Sequence, residues 1–144
     1  MCVGTEGWTT LPFAIVHAIG SKRWNDPQRD SDGTRILISR FRPRGVARAN
    51  ETWSEWHREL SPSEGLHAAY YGKLGIEITW EQYRATFLEE MHAQQMHLEA
   101  LALRMQRGEQ ITLLCSNACT DPARCHRTLV IALVHALIND GIPR

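Results

Sequence analysis

The chain of 144 residues has no excess charge of either sign: sixteen Lys and Arg balance sixteen Asp and Glu. That balance removes any global pull toward nucleic acid or an anionic membrane. No long apolar run is present either. The longest, from Leu11 to Ile19, is interrupted by His17 and is far too short to span a bilayer. No basic stretch leading into an apolar segment and a small-residue cleavage site opens the sequence, so the expected location is the cytoplasm. Internal repeats, low-complexity tracts and Pro/Gly/Ser-rich linkers are absent, which argues for one domain over 1–144, with residues 1–10 as a loose leader. Cysteine is scarce at four. A chain of this length can bury a core without staples, so thiols or metal ligands are expected rather than a disulfide framework.

What is present is unevenly placed. Lys22, Arg23, Arg29, Arg35, Arg40, Arg42, Arg44 and Arg48 face only Asp26, Asp30 and Asp32 within one segment. Any anion-seeking surface is therefore local. Three of the four cysteines fall in Leu114-Cys115-Ser116-Asn117-Ala118-Cys119-Thr120-Asp121-Pro122-Ala123-Arg124-Cys125-His126-Arg127, together with a histidine and two arginines.

The pattern of elements predicts an α/β fold, a small and mostly parallel sheet with helices packed on it. Pro12–Ile19 reads as a buried strand that turns at Gly20, and 21–33 reads as a long loop. Thr34–Phe41, with Ile36-Leu37-Ile38 at its centre, reads as a second strand. Glu51–Leu60 reads as helical. Ser63 is placed to cap a short helix, and Thr79 to cap a long one in which Trp80, Tyr83, Phe87, Met91, Leu98, Ala102 and Met105 form a core-facing stripe. Gln110–Cys115 is the third strand, and Asp121-Pro122 opens a final helix. Ligands of such sheets gather at the carboxyl ends of the strands, which brings Ser21, Arg40, Arg42, Arg44 and the Cys115–Arg127 segment toward one another.

Several chemistries fit these residues. Cys125, in the first turn of a helix and beside Arg124 and Arg127, is expected to titrate low and serve as a nucleophile or ligand; a small buried hydrophobe is the plain alternative. Cys115 is a second candidate nucleophile or redox partner, with His126 and His57 as acid/base groups. Arg40, Arg42, Arg44 and Arg127 are candidates to hold a carboxylate or phosphate, for which their planar forks are suited, with Ser21 beside them; solvated surface charge is the alternative. Cys115, Cys119 and Cys125 with a histidine also supply enough donors for zinc or iron. His92 and His97 do not share a helix face, and a solvated surface explains them.

Arg35-Ile36-Leu37-Ile38-Ser39-Arg40-Phe41-Arg42-Pro43-Arg44-Gly45, Trp56 with Glu59-Leu60-Ser61-Pro62-Ser63, Trp80-Glu81-Gln82-Tyr83, and Ile111-Thr112-Leu113-Leu114-Cys115 leading to Cys125-His126-Arg127 resemble the domain of unknown function 488 family. The resemblance implies a small, usually free-standing α/β protein of bacteria or archaea without an assigned activity. Its recurring polar positions correspond here to Ser21, Arg35, Arg40, Pro43, Arg44, Gly45, Ser61, Pro62, Ser63, Cys115, Cys125, His126 and Arg127. Departures from the pattern are Ser39 for an acidic residue, Arg42 for a tryptophan, and a longer loop that adds Cys119. Together these readings point to a thiol-dependent enzyme acting on a small anionic ligand such as a nucleotide or sugar phosphate. The alternatives are an iron- or zinc-binding protein, and an interaction module for nucleic acid or protein built on the basic segment. The last is disfavoured by the balanced charge.

Overall fold

The structure is a computed structural model, and residues 18–141 are described. The expected leader and most of the Leu11–Ile19 run lie outside the described residues. Four strands, β1 (Gly20–Arg23), β2 (Thr34–Leu37), β3 (Glu55–Trp56) and β4 (Ile111–Cys115), form one sheet in the order β1-β4-β2-β3, and every pairing is parallel. The helices are α1 (Glu64–Tyr70), α2 (Trp80–His92), α3 (Gln95–Gln106) and α4 (His126–Asp140). The expected α/β class with a parallel sheet is the observed one. Among the described residues, no helix is long and apolar enough to cross a membrane.

All five residues of β4 are buried, as a central parallel strand covered on both faces requires. On one face Ile36, Ile38, Ile111 and Leu113 meet Phe87, Met91, Leu98, Leu101, Met105, Val130 and Val134 from the helices. On the other, Leu37 and Leu114 are covered by Trp53 with Trp24, Val46 and Trp56, from loops and the edge strand.

The first strand lies later than the sequence pattern indicates. Gly20, expected as a turn, is a strand residue paired with Thr112. A Cβ there would come within 2.3 Å of the Thr112 hydroxyl, so the missing side chain is what lets β1 close against β4. Gly33 keeps a turn role: its φ is 65°, and a Cβ would meet the Gln110 carbonyl oxygen at 2.2 Å. The second strand ends earlier than expected, at Leu37. Ile38 N–H still donates to the Leu114 carbonyl at 2.9 Å, and then the Ser39 hydroxyl bonds the Phe41 carbonyl at 2.8 Å and turns the chain.

The expected helix over Glu51–Leu60 is absent. In its place are β3, in register with Ile36 and Leu37, and a single 3-10 turn at Arg58–Leu60. Burying Trp53 over the sheet and pairing Trp56 with β2 override local helix preference. The long helix is also divided. At Ala93 and Gln94 the backbone bonds tighten to Glu90 and Met91 carbonyls three residues back, separating α2 from α3. The apolar stripe survives the break, because Met91 and Leu98 are seven residues apart and both remain buried. Trp80, at its start, is half-buried. Both expected caps form: Ser63 Oγ accepts from Leu66 N–H, and Thr79 and Gln82 exchange bonds in a capping box. His92 and His97 are exposed, as expected.

Candidate functional site

The last residue of β4, the chain just beyond β2 and the start of α4 meet at the carboxyl end of the sheet. Cys115 ends β4. From there the loop turns back through Cys119, and Asp121 accepts from Ala123 N–H to cap a 3-10 turn over Pro122–Arg124. That turn delays the helix. Cys125 therefore has extended geometry (φ −137°, ψ 140°) as the N-cap of α4 and does not lie in its first turn, where the sequence reading placed it.

The three sulfurs lie within 4.8 Å of one another. Cys125 Sγ stands 3.4 Å from Cys115 Sγ, and Cys115 Sγ 3.1 Å from Cys119 Sγ. These contacts run as a relay, with Cys125 donating to Cys115 and Cys115 donating to Cys119. Hydrogen bonds from Cys115 and Cys125, helped by the Arg127 charge, hold the Cys119 thiol far below its ordinary value against the opposing effect of burial. The same bonds and burial push Cys115 up. Cys125 is drawn down by Cys115, but its contact with Cys119, burial and the Cys119 charge push it up to about 12. Cys125 keeps the helix N-terminus as its N-cap, where the Arg127 backbone N–H draws it down, but Cys119 and burial outweigh that; of the three sulfurs, Cys119 has the surroundings that favour a thiolate, where the sequence reading favoured Cys125.

His126 is fully enclosed beside the cluster. Its Nε2 is 2.7 Å from the Ile38 carbonyl oxygen, which can only accept, so Nε2 carries the proton. Nδ1 keeps its lone pair and faces Cys115 Sγ at 3.9 Å. Burial lowers the pKa of the imidazole and keeps it neutral at physiological pH. Three thiols and one bare imidazole nitrogen are a donor set for a tetrahedral thiolate metal, and a second ring nitrogen tied to a carbonyl is the usual support of a metal-ligating histidine.

A cavity of ≈ 90 Å³ opens over the sulfurs. Tyr70 and Tyr83 line it at depth, with ring centroids 4.5 Å apart; Phe41, His67 and Tyr71 line it as well. The His67 ring sits 5.3 Å from Phe41 and 4.7 Å from Tyr71. Burial, then the charges of the cysteine cluster, raise the Tyr71 hydroxyl pKa. Two guanidiniums complete the wall. Arg40 donates from Nε to the Pro62 carbonyl at 2.7 Å, and Arg124 lies exposed opposite the cluster. Neither forms an ion pair among the described residues, and no carboxylate lines the cavity.

The structure brings together Cys115, Cys119, Cys125, His126 and Arg40 from the sequence candidates and leaves the others elsewhere. Ser21 is an exposed residue in mid-β1. His57 bonds Glu55 at 2.8 Å, away from the cavity. Arg42 is bound to Glu51 and the Val46 carbonyl over the Trp53 ring, on the opposite face of the sheet. Arg44 is exposed and outside the lining. Arg127 is buried, donates to the Lys22 carbonyl at 2.7 Å and leaves its Nε without a partner. It supports the Cys119 charge from behind and does not reach into the cavity. Arg35 is buried at the far end of the sheet against Asp32. Phe41, His67, Tyr83 and Arg124 were not singled out as site residues. Tyr83 lay within the apolar stripe, and the others carry no local pattern.

The family model described as the active DUF488-N3 subclade matches residues 19–137. The chain belongs to the DUF488 family. That match contains Arg40 and the whole Cys115–Arg127 segment, so the cavity of this DUF488 protein lies inside the family's domain. The uncharacterized protein YeaO of Escherichia coli is 33% identical over 98 residues, covering 68% of this chain and 82% of the relative. No solved structure matches.

Proposed function

We propose that this DUF488 protein is an enzyme that holds a small anionic ligand at Arg40 and Arg124 and acts on it with the cysteine cluster, Cys119 supplying the thiolate nucleophile. One observation carries this reading: a three-thiol relay ends at a half-buried sulfur in a cavity that, among the described residues, has two guanidiniums without acid partners and no carboxylate. Such a wall attracts an anion, and the relay keeps the attacking sulfur deprotonated at neutral pH. Iodoacetate and iodoacetamide test both halves at once, because they alkylate thiolates alike and differ in charge. The rate ratio of iodoacetate to iodoacetamide at Cys119 is expected to exceed that of a free thiol severalfold, and to fall to it when Arg40→Gln and Arg124→Gln are combined. A ratio equal to the free thiol's, unchanged by those substitutions, would defeat the reading.

A second reading, a zinc or iron centre held by Cys115, Cys119 and Cys125, is favoured by the bare Nδ1 of His126 beside Cys115. Elemental analysis of freshly purified protein decides it. Stoichiometric metal, lost in Cys119→Ser, supports a metal centre; a trace amount counts against it. The interaction-module reading draws little support, since Lys22, Arg23, Arg35 and Arg42 are each paired with a carboxylate.

A further inference from the structure

We infer that the anion taken by this cavity is a single planar aromatic ring bearing one carboxylate-sized group; the inference rests on the anion reading and narrows it to a substrate class. Size limits the choice first. The cavity of ≈ 90 Å³ is smaller than the engineered void of about 150 Å³ that encloses benzene, so the enclosed space has no room for a nucleotide or a sugar phosphate. One ring fits if part of it remains against the rim.

The walls then choose the shape. Phe41 and Tyr71, 49% and 44% exposed, stand on either side of His67 and present ring surface at the mouth, where solvent would otherwise cover it. Both are held by their contacts with His67, at interplanar angles of 80° and 44°, so a flat ligand meets ring faces and edges already in place and gains offset or edge contacts unavailable to a saturated ring. His67 adds no charge to this row, because burial lowers its pKa and keeps it neutral at pH 7. Orientation comes from the guanidiniums. The Nε of Arg40 is fixed on the Pro62 carbonyl, which leaves its two terminal nitrogens as a fork for a planar carboxylate.

Benzoate, cyclohexanecarboxylate and acetate, titrated into the full-length protein and followed by calorimetry or by ring resonances of the cavity, separate these contributions. Benzoate is expected to bind roughly threefold or more tightly than cyclohexanecarboxylate. That preference should disappear in Tyr71→Leu, whose exposed position tolerates the change, and binding of all three acids should weaken in Arg40→Gln. Equal affinity for benzoate and cyclohexanecarboxylate, with both sensitive to Arg40→Gln, would overturn the ring inference and leave the anion reading standing. Binding of all three acids unchanged by Arg40→Gln, or no binding of any, would overturn both.

Discussion

His126 Nε2 and the Ile38 carbonyl oxygen lie 2.7 Å apart, and this one contact joins the start of α4 to the end of β2. It decides the tautomer of the imidazole, and therefore which nitrogen meets the sulfurs. His126→Ala would leave a buried carbonyl without its donor. A loss of ~1–3 kcal/mol in unfolding free energy is expected in urea titrations, and unchanged stability would show the contact to be idle.

The same histidine makes stability pH-dependent. Burial holds folded His126 below its ordinary value of 6.5, so the unfolded chain binds the proton first as pH falls. Its contribution is complete above that value and is lost progressively below it. His67, lowered chiefly by burial, acts with the same sign. Thermal midpoints are expected to fall between pH 7.5 and 5.5, with a shallower slope in His126→Asn. A flat profile in the native protein would contradict the buried neutral imidazole.

Cys119 and Cys125 should separate cleanly in alkylation. With Cys119 held low and Cys125 pushed up to about 12, the first modification at pH 6 is expected on Cys119, mapped by mass spectrometry. Cys125→Ser should leave a fast-reacting thiol, and Cys119→Ser should remove it. Protection of Cys115, Cys119 and Cys125 together that is relieved by a chelator would favour the metal centre.

Glu90 of α2 governs Arg40 at a distance. Its carboxylate accepts from Ser63 N–H at 2.9 Å and from the Ser63 hydroxyl at 2.5 Å, fixing the residue next to Pro62, whose carbonyl holds Arg40. Glu90→Ala is expected to cost ~1–3 kcal/mol of stability and to weaken benzoate binding without touching the cavity. Retained affinity in a destabilised protein would show that Arg40 is positioned independently.

Arg104 clamps α3 to the sheet through Glu55, at 2.8 Å to both oxygens, and through Glu109 at 2.6 and 2.9 Å. Hydrogen bonds from Arg104 hold Glu109 down to about 2 and also lower Glu55. Both contributions are present above the ordinary carboxylate value of 4.5 and fade as pH falls toward 2. Arg104→Met is expected to cost ~1–2 kcal/mol at pH 7, discounted for partial solvent exposure, and to blunt acid unfolding between pH 5 and 3. An identical acid profile in both proteins would show that the network carries no stability.

The local sequence determined the elements whose signals are short-range. The Ser63 and Thr79 caps, the stripe from Tyr83 to Met105, and the apolar β2 and β4 follow from neighbours within a few residues, because hydrogen-bonding competition and period act at that distance. The Cys115–His126 segment was equally legible as a candidate site, since strand ends of a parallel sheet collect ligand groups. Tertiary structure decided what depends on partners far along the chain. Gly20 became a strand residue because Thr112 stands against it, and Glu51–Leu60 gave up a helix to let Trp53 cover Leu37 and Leu114. The arrangement of the three sulfurs was also tertiary: a 3-10 turn made Cys125 the N-cap of α4, and the loop brought Cys119 against Cys115, so that the surroundings favour charge at Cys119 over Cys125. Arg40 stayed at the site while Arg42, two residues on, was drawn to Glu51 on the other face, because charged groups pair with whatever partner the fold brings near.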